Sequence, residues 1–117
     1  MTRNILVVDD EEDIREFLKS LLEDHGCTVR VAGDGVQAME MIRQSAPDLV
    51  LLDLMMPHET GTGLYRKMHD RKELKDIPVI VISGLAGRHV AVSRSVPVFD
   101  KPIDEQGLLT AVDELLG

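Results

Sequence analysis

Four short apolar runs, NILVV (Asn4–Val8), DLVLLD (Asp48–Asp53), IPVIVIS (Ile77–Ser83) and VPVFD (Val96–Asp100), each lead up to or end in a polar side chain. Continuous runs rich in Val, Ile and Leu are the pattern of strands covered on both faces, as in a parallel sheet. A fifth segment, CTVRVA (Cys27–Ala32), completes the set of expected strands. Between them the period changes. Ile14, Phe17, Leu18, Leu21 and Leu22 recur at i, i+3, i+4, i+7 and i+8, which lays one apolar stripe along a helix that Gly26 then stops. DGVQAMEMIRQS (Asp34–Ser45) reads as a second helix, closed before Pro47. A loop carrying Gly61 and Gly63 precedes a short helix over Leu64–His69. Leu108, Val112, Leu115 and Leu116 mark a last helix, with Asp104 as its expected N-cap.

Strands alternating with helices imply a doubly wound, five-stranded parallel α/β sheet with helices on both faces, because crossovers are right-handed. The expected strand order is 2-1-3-4-5, and residues 1–117 are expected to form one domain. The fourth connection, GLAGRHVAVSRS (Gly84–Ser95), mixes glycines with out-of-phase apolar residues, so a shortened or irregular fourth helix is expected there.

In this architecture ligands bind beyond the carboxyl ends of the strands, where strand order reverses. Strand one ends at Asp9 and Asp10 and strand three at Asp53, and these strands are expected neighbours. An acid such as Asp53 inside PDLVLLDLMMP is costly to bury without partners. Three converging carboxylates need protonation or a cation, because charges about 4 Å apart repel by roughly 4 kcal/mol at an effective dielectric near 20. A hard divalent ion, Mg²⁺ in the usual case, meets that need. Strands four and five end at Ser83 and Lys101, which brings a hydroxyl and an ammonium to the same rim. A metal, a hydroxyl and a fixed positive charge around a carboxylate suit transfer of a phosphoryl group onto that carboxylate.

ILVVDDEEDIR, DLVLLDLMMPHETG, VIVIS and DKPID together resemble the receiver domain of two-component response regulators, across nearly the whole chain. The resemblance implies a flavodoxin-like fold and a phosphorelay switch rather than a metabolic enzyme, with self-catalysed phosphorylation and dephosphorylation. Asp53 would accept the phosphoryl group from a phosphohistidine on a sensor histidine kinase or phosphotransfer protein. Asp10, Asp53 and the main-chain carbonyl of Met55 would bind Mg²⁺, or Mn²⁺ in its place, with Asp9 acting through water. Ser83 would bond a phosphoryl oxygen, Lys101 would pair with the phosphate, and the peptide before Pro102 would be cis. The output would be a downstream protein target or a separate effector domain, and phosphorylation could bring two copies together as a homodimer.

The sequence also departs from that family's pattern. The position of the usual aromatic switch, three before the lysine, is Val98, and Phe99 is displaced by one residue, which points it to the opposite face. Ser83 and Lys101 are only 18 positions apart, about one helical turn fewer than is usual, so the output face is expected to be altered. Met55 and Leu85, two positions after Asp53 and Ser83, are apolar, and slow hydrolysis of the phosphoryl group is expected. These departures motivate the alternative of a pseudo-receiver, a phosphorylation-independent interaction module. A phosphohydrolase would place a second acid where Met55 stands.

The composition limits the partners. A formal net charge of −8 repels a nucleic-acid backbone, so no direct nucleic-acid binding is expected. Cys27, the only cysteine, can form no internal disulfide. No apolar run is long enough to span a bilayer or to serve as a secretion signal, so a cytoplasmic location without membrane contact is expected. His25, His58, His69 and His89 share no ligand spacing and are expected at the surface, and the interleaved charges of RKMHDRKELK (Arg66–Lys75) read as a solvated face.

Overall fold

The computed structural model describes residues 3–53, 61–83, 97–100 and 102–117. Its strands β1 (Arg3–Val8), β2 (Cys27–Ala32), β3 (Leu49–Asp53), β4 (Val79–Ser83) and β5 (Val98–Asp100) form one parallel sheet in the order β2-β1-β3-β4-β5. The described helices are α1 (Glu12–Asp24), α2 (Gly35–Gln44), α3 (Gly61–Asp70) and α4 (Glu105–Leu116).

The apolar runs are continuous because both faces of the sheet are covered. Alternate residues of the central strands enter two separate cores. Leu6, Val8, Val50, Leu52, Val79 and Val81 pack with Ala38, Met39 and Ile42 of α2 and with Leu64 and Met68 of α3. Ile5, Val7, Leu49, Leu51, Ile80 and Ile82 pack with Leu18 and Leu22 of α1 and with Leu108 and Val112 of α4. Each fully buried Val, Leu or Ile among them contributes about 1.5–3 kcal/mol of transfer free energy.

Local chemistry sets the ends of the helices. In α1 the last turn closes through His25 N–H to Leu22 O and Gly26 N–H to Glu23 O, with Gly26 at φ 91°, a left-handed conformation that a side chain would strain. The Asp34 carboxylate accepts from Gln37 N–H at 2.7 Å, and the Gln37 side chain reaches back to accept from Gly33 N–H at 2.8 Å. That exchange is a capping box displaced by one residue. At the other end of α2, Arg30 of the edge strand donates to Ser45 O at 2.7 Å, which satisfies a carbonyl the helix leaves open.

Four details differ from the sequence reading. Helix α3 begins at Gly61, three residues before Leu64. Burial of Leu64 and Met68 against the sheet outweighs the roughly 1 kcal/mol that each glycine costs a helix. Strand β4 begins at Val79 because Pro78 has no N–H to give the ladder and Ile77 N–H is spent on a turn to Leu74 O. Phe17, counted in the α1 stripe, is 39% exposed. It lies about 120° round the helix from the midpoint of Leu18 and Leu22, which face the core. Asp104 stands at the N-cap of α4 but makes no capping hydrogen bond. Its carboxylate leans over Gly107, where an added Cβ would come within 2.6 Å of Asp104 Oδ2. The expected irregular helix over Gly84–Ser95 lies outside the described residues.

Candidate functional site

The C-terminal edge of the sheet brings three acids of the chain together. Val8 pairs with Leu52 in the β1–β3 ladder, so the acids that follow each of these residues emerge side by side. Asp9 is completely buried and Asp53 is 2% exposed, whereas Asp10 faces solvent. One carboxylate oxygen from each of the three lies within 4.8 Å of the others. Asp9 and Asp53 are the only buried charged residues among those described, and they stand together.

Asp9 is held tightly. Its N–H donates to Ala32 O at 3.1 Å, continuing the β1–β2 ladder one residue past the strand. Its Oδ1 accepts from Glu11 N–H at 2.9 Å, which also supplies an acceptor at the start of α1. Its carbonyl accepts from the Arg15 guanidinium at 2.7 Å. The sequence reading did not pick out Arg15. The available signal was a cation on the first turns of α1, six residues after Asp9 and directly beside the apolar stripe.

The remaining expected residues are placed only in part. Ser83 ends β4, one residue past Ile82, the register partner of Asp53, and it pairs with Asp100 at the end of β5. The backbone of Ser83 therefore reaches the same edge. Met55, Lys101 and the peptide between Lys101 and Pro102 lie outside the described residues, and Pro102 is exposed. Val98 is 37% exposed and pairs with Val81, a residue of the α2/α3 core, while Phe99 pairs with Ile82 and packs in the α1/α4 core. The two are thus on opposite faces of the sheet. His25 bonds to Asp113 and His69 stacks on Tyr65 with ring centroids 6.0 Å apart. His58 and His89 lie outside the described residues.

Three carboxylates at this spacing form a hard, all-oxygen donor set, suited to a divalent cation of the Mg²⁺ type and poorly suited to a soft or nitrogen-preferring metal. The donor set therefore fits Mg²⁺. A groove of about 390 Å³ lined by Tyr65, Met68, Leu74, Pro78, Pro97 and Leu115 lies at the other end of the sheet, beside the starts of β4 and β5. It contains none of the three acids. Among the described residues no helix is long and apolar enough to cross a membrane.

Comparisons with known proteins agree with this arrangement. Residues 5–113 match the family described as the response regulator receiver domain. The protein Rrf1 of Nitratidesulfovibrio vulgaris is 36% identical over 116 residues, which cover 99% of this chain and 84% of that protein. The response regulator MprA of Mycobacterium ulcerans is 41% identical over 83 residues, which cover 71% of this chain but 35% of MprA. Among solved structures, the receiver domain of NtrX from Brucella abortus superposes with a TM-score of 0.85 at 34% identity, covering 96% of this chain and 97% of that one. A putative response regulator from Chloroflexus aurantiacus gives 0.89 at 24% identity, with 99% and 98% covered, and so speaks for the fold. With its five-stranded sheet, its acid cluster and a family match over most of its length, the chain belongs to the response regulator receiver domains, the signalling switches of two-component systems.

Proposed function

We propose that residues 1–117 form a phosphoacceptor receiver, in which Asp53 takes a phosphoryl group from the phosphohistidine of a sensor kinase or phosphotransfer protein. The observation that carries this reading is the convergence of Asp9, Asp10 and Asp53 within 4.8 Å at the switch point of a doubly wound sheet. A carboxylate oxygen of Asp53 attacks phosphorus, the P–N bond breaks, and the imidazole leaves with the bonding electron pair and takes up a proton.

Asp10, Asp53 and the Met55 carbonyl would hold Mg²⁺ or Mn²⁺, with Asp9 acting through water. When bound, the ion supplies positive charge that offsets both the carboxylate cluster and the phosphoryl oxygens. Ser83 and Lys101 are assigned to the phosphoryl group, the hydroxyl as a donor and the ammonium as a counter-charge, with the Lys101–Pro102 peptide cis. The apolar Met55 and Leu85 support slow loss of the phosphoryl group. Receiver domains pass such a change to an interaction surface by a shift between conformers. Here the output is a downstream protein, an effector domain or a second copy of the chain, in the cytoplasm and without direct contact to nucleic acid. With Val98 at the usual aromatic position, the familiar aromatic switch lacks its side chain, which is the feature that motivates the pseudo-receiver alternative.

The test is intact mass after incubation with acetyl phosphate, with and without Mg²⁺, for the wild type and for Asp53→Asn. One phosphoryl gain that requires both Mg²⁺ and Asp53 is expected. No gain, where a control receiver labels, would refute the reading in favour of a pseudo-receiver that binds partners without phosphorylation.

A further inference from the structure

We infer that Arg15 is a positioning residue for the cation site, acting through the peptide that joins Asp9 to Asp10. This rests on the Mg²⁺ reading above. The carbonyl that Arg15 holds at 2.7 Å belongs to that peptide, and a peptide unit is planar. Fixing its oxygen fixes the plane, and with the plane the direction in which Asp10 leaves the strand.

Asp10 needs such a constraint more than its neighbour does. Asp9 is completely buried, its N–H is tied to Ala32 O and its Oδ1 to Glu11 N–H. The Asp10 side chain is exposed and has no surrounding core to hold it. The Glu11 N–H bond ties the peptide that follows Asp10, and the carbonyl of Asp9 is the point at which the peptide that precedes it is held.

The surroundings of Arg15 are shaped to keep it there. Its guanidinium lies below Gly33, where an added Cβ would sit 3.4 Å from Nη1. The Gly33 N–H is in turn held by Gln37 of α2 at 2.8 Å. The half-buried arginine therefore fills the space between the end of β1, the first turns of α1 and the β2–α2 turn. Gly33 leaves room for it: an added Cβ would already touch the guanidinium, and a β-branched side chain there would crowd it.

Charge and position make opposite predictions, which makes the inference testable. By charge alone, removing a cation beside three carboxylates would tighten Mg²⁺ binding. By position, it would weaken binding, as loss of an outer-shell partner does by about tenfold or more. The measurement is calorimetric titration of the intact, unphosphorylated chain with Mg²⁺, together with the ¹⁵N–¹H shift of the Asp10 amide in the metal-free protein. Arg15→Gln, whose amide is too short to reach the Asp9 carbonyl, is expected to bind Mg²⁺ about tenfold more weakly and to move the Asp10 amide resonance, and Arg15→Lys, which keeps a charged donor at longer reach, is expected to recover part of both. Gly33→Val, which leaves the charge in place, is expected to weaken binding in the same direction, and it serves if Arg15→Gln does not fold. Wild-type or tighter affinity in Arg15→Gln, or in Gly33→Val where that variant stands in, would overturn the inference while leaving the Mg²⁺ reading intact. A wild type that takes up no Mg²⁺ would overturn both.

Discussion

Replacing Asp53 with asparagine should stabilise the metal-free protein and abolish its stabilisation by Mg²⁺, so that the two stability curves cross. Carboxylate oxygens of Asp9, Asp10 and Asp53 lie within 4.8 Å of one another, and two unit charges at that separation repel by about 3.5 kcal/mol at an effective dielectric of 20. Asp10 is exposed, so solvent screens much of its share. Asp9 and Asp53 are both buried and keep theirs. Asparagine has nearly the same shape and removes the charge, but it also weakens the other polar interaction that Asp53 makes, for which about 1–2 kcal/mol, the scale of one contact to a charged group, is allowed. The net gain in EDTA is about 2 kcal/mol, or about 8 °C in Tm for a domain of this size. Mg²⁺ at a hundred times its dissociation constant should then raise the wild type by about 2.7 kcal/mol and leave the variant almost unchanged. Urea unfolding of both proteins, in EDTA and in saturating Mg²⁺, reads all four values. An asparagine variant less stable than the wild type in EDTA, or an equal response of the two proteins to Mg²⁺, would refute the electrostatic account of the cluster.

Three further outcomes follow from parts of the structure away from the acids. Leu22→Ala, at a fully buried α1 position, should cost about 2–5 kcal/mol in urea unfolding, whereas Phe17→Ala, at the exposed rim, should cost well under half of that. Asp113 accepts hydrogen bonds from Arg3 at 2.6 Å and from His25 at 2.9 Å, and the Arg3 bond first, then the His25 bond, hold its carboxyl below the usual carboxylate range. Its contribution to stability is therefore complete above the ordinary carboxylate pKa of about 3.9 and is lost as pH falls through the lower folded value, so Asp113→Asn should flatten that acid limb. The Cys27 thiol is pushed up chiefly by burial, and its modification by a thiol reagent at neutral pH should track unfolding; fast reaction in native buffer would contradict the packing described.

The sequence made the strands legible because burial on both faces leaves a run with few polar interruptions, and β1 and β3 are buried from Ile5 to Val8 and from Leu49 to Asp53. The ends of elements were harder to read, since they depend on single groups. Pro78 lacks a donor, Gly61 and Gly63 are overruled by Leu64 and Met68, and the Asp104 carboxylate leans over Gly107 without making a capping hydrogen bond. Phe17 shows the same limit from another side. A spacing rule admits any residue within a wide arc, and only the direction of the sheet decides which part of that arc is covered.

The acids and Arg15 differ in legibility for a physical reason. An acid that ends an apolar run announces itself, because nothing in packing favours it there. An arginine on an acid-rich first turn looks like an ordinary surface cation, and its importance comes from the one acceptor it reaches. That acceptor is a main-chain carbonyl, present at every position and invisible to any residue pattern. The burial that makes β1 and β3 easy to recognise also brings Asp9 and Asp53 together at low solvent access, where like charges cost most. A site built in this way requires a counter-charge, and it also requires a means of fixing its exposed member, Asp10. The first requirement can be derived from composition and spacing, whereas the second depends on the orientation of a single peptide plane and becomes visible only once the chain is folded.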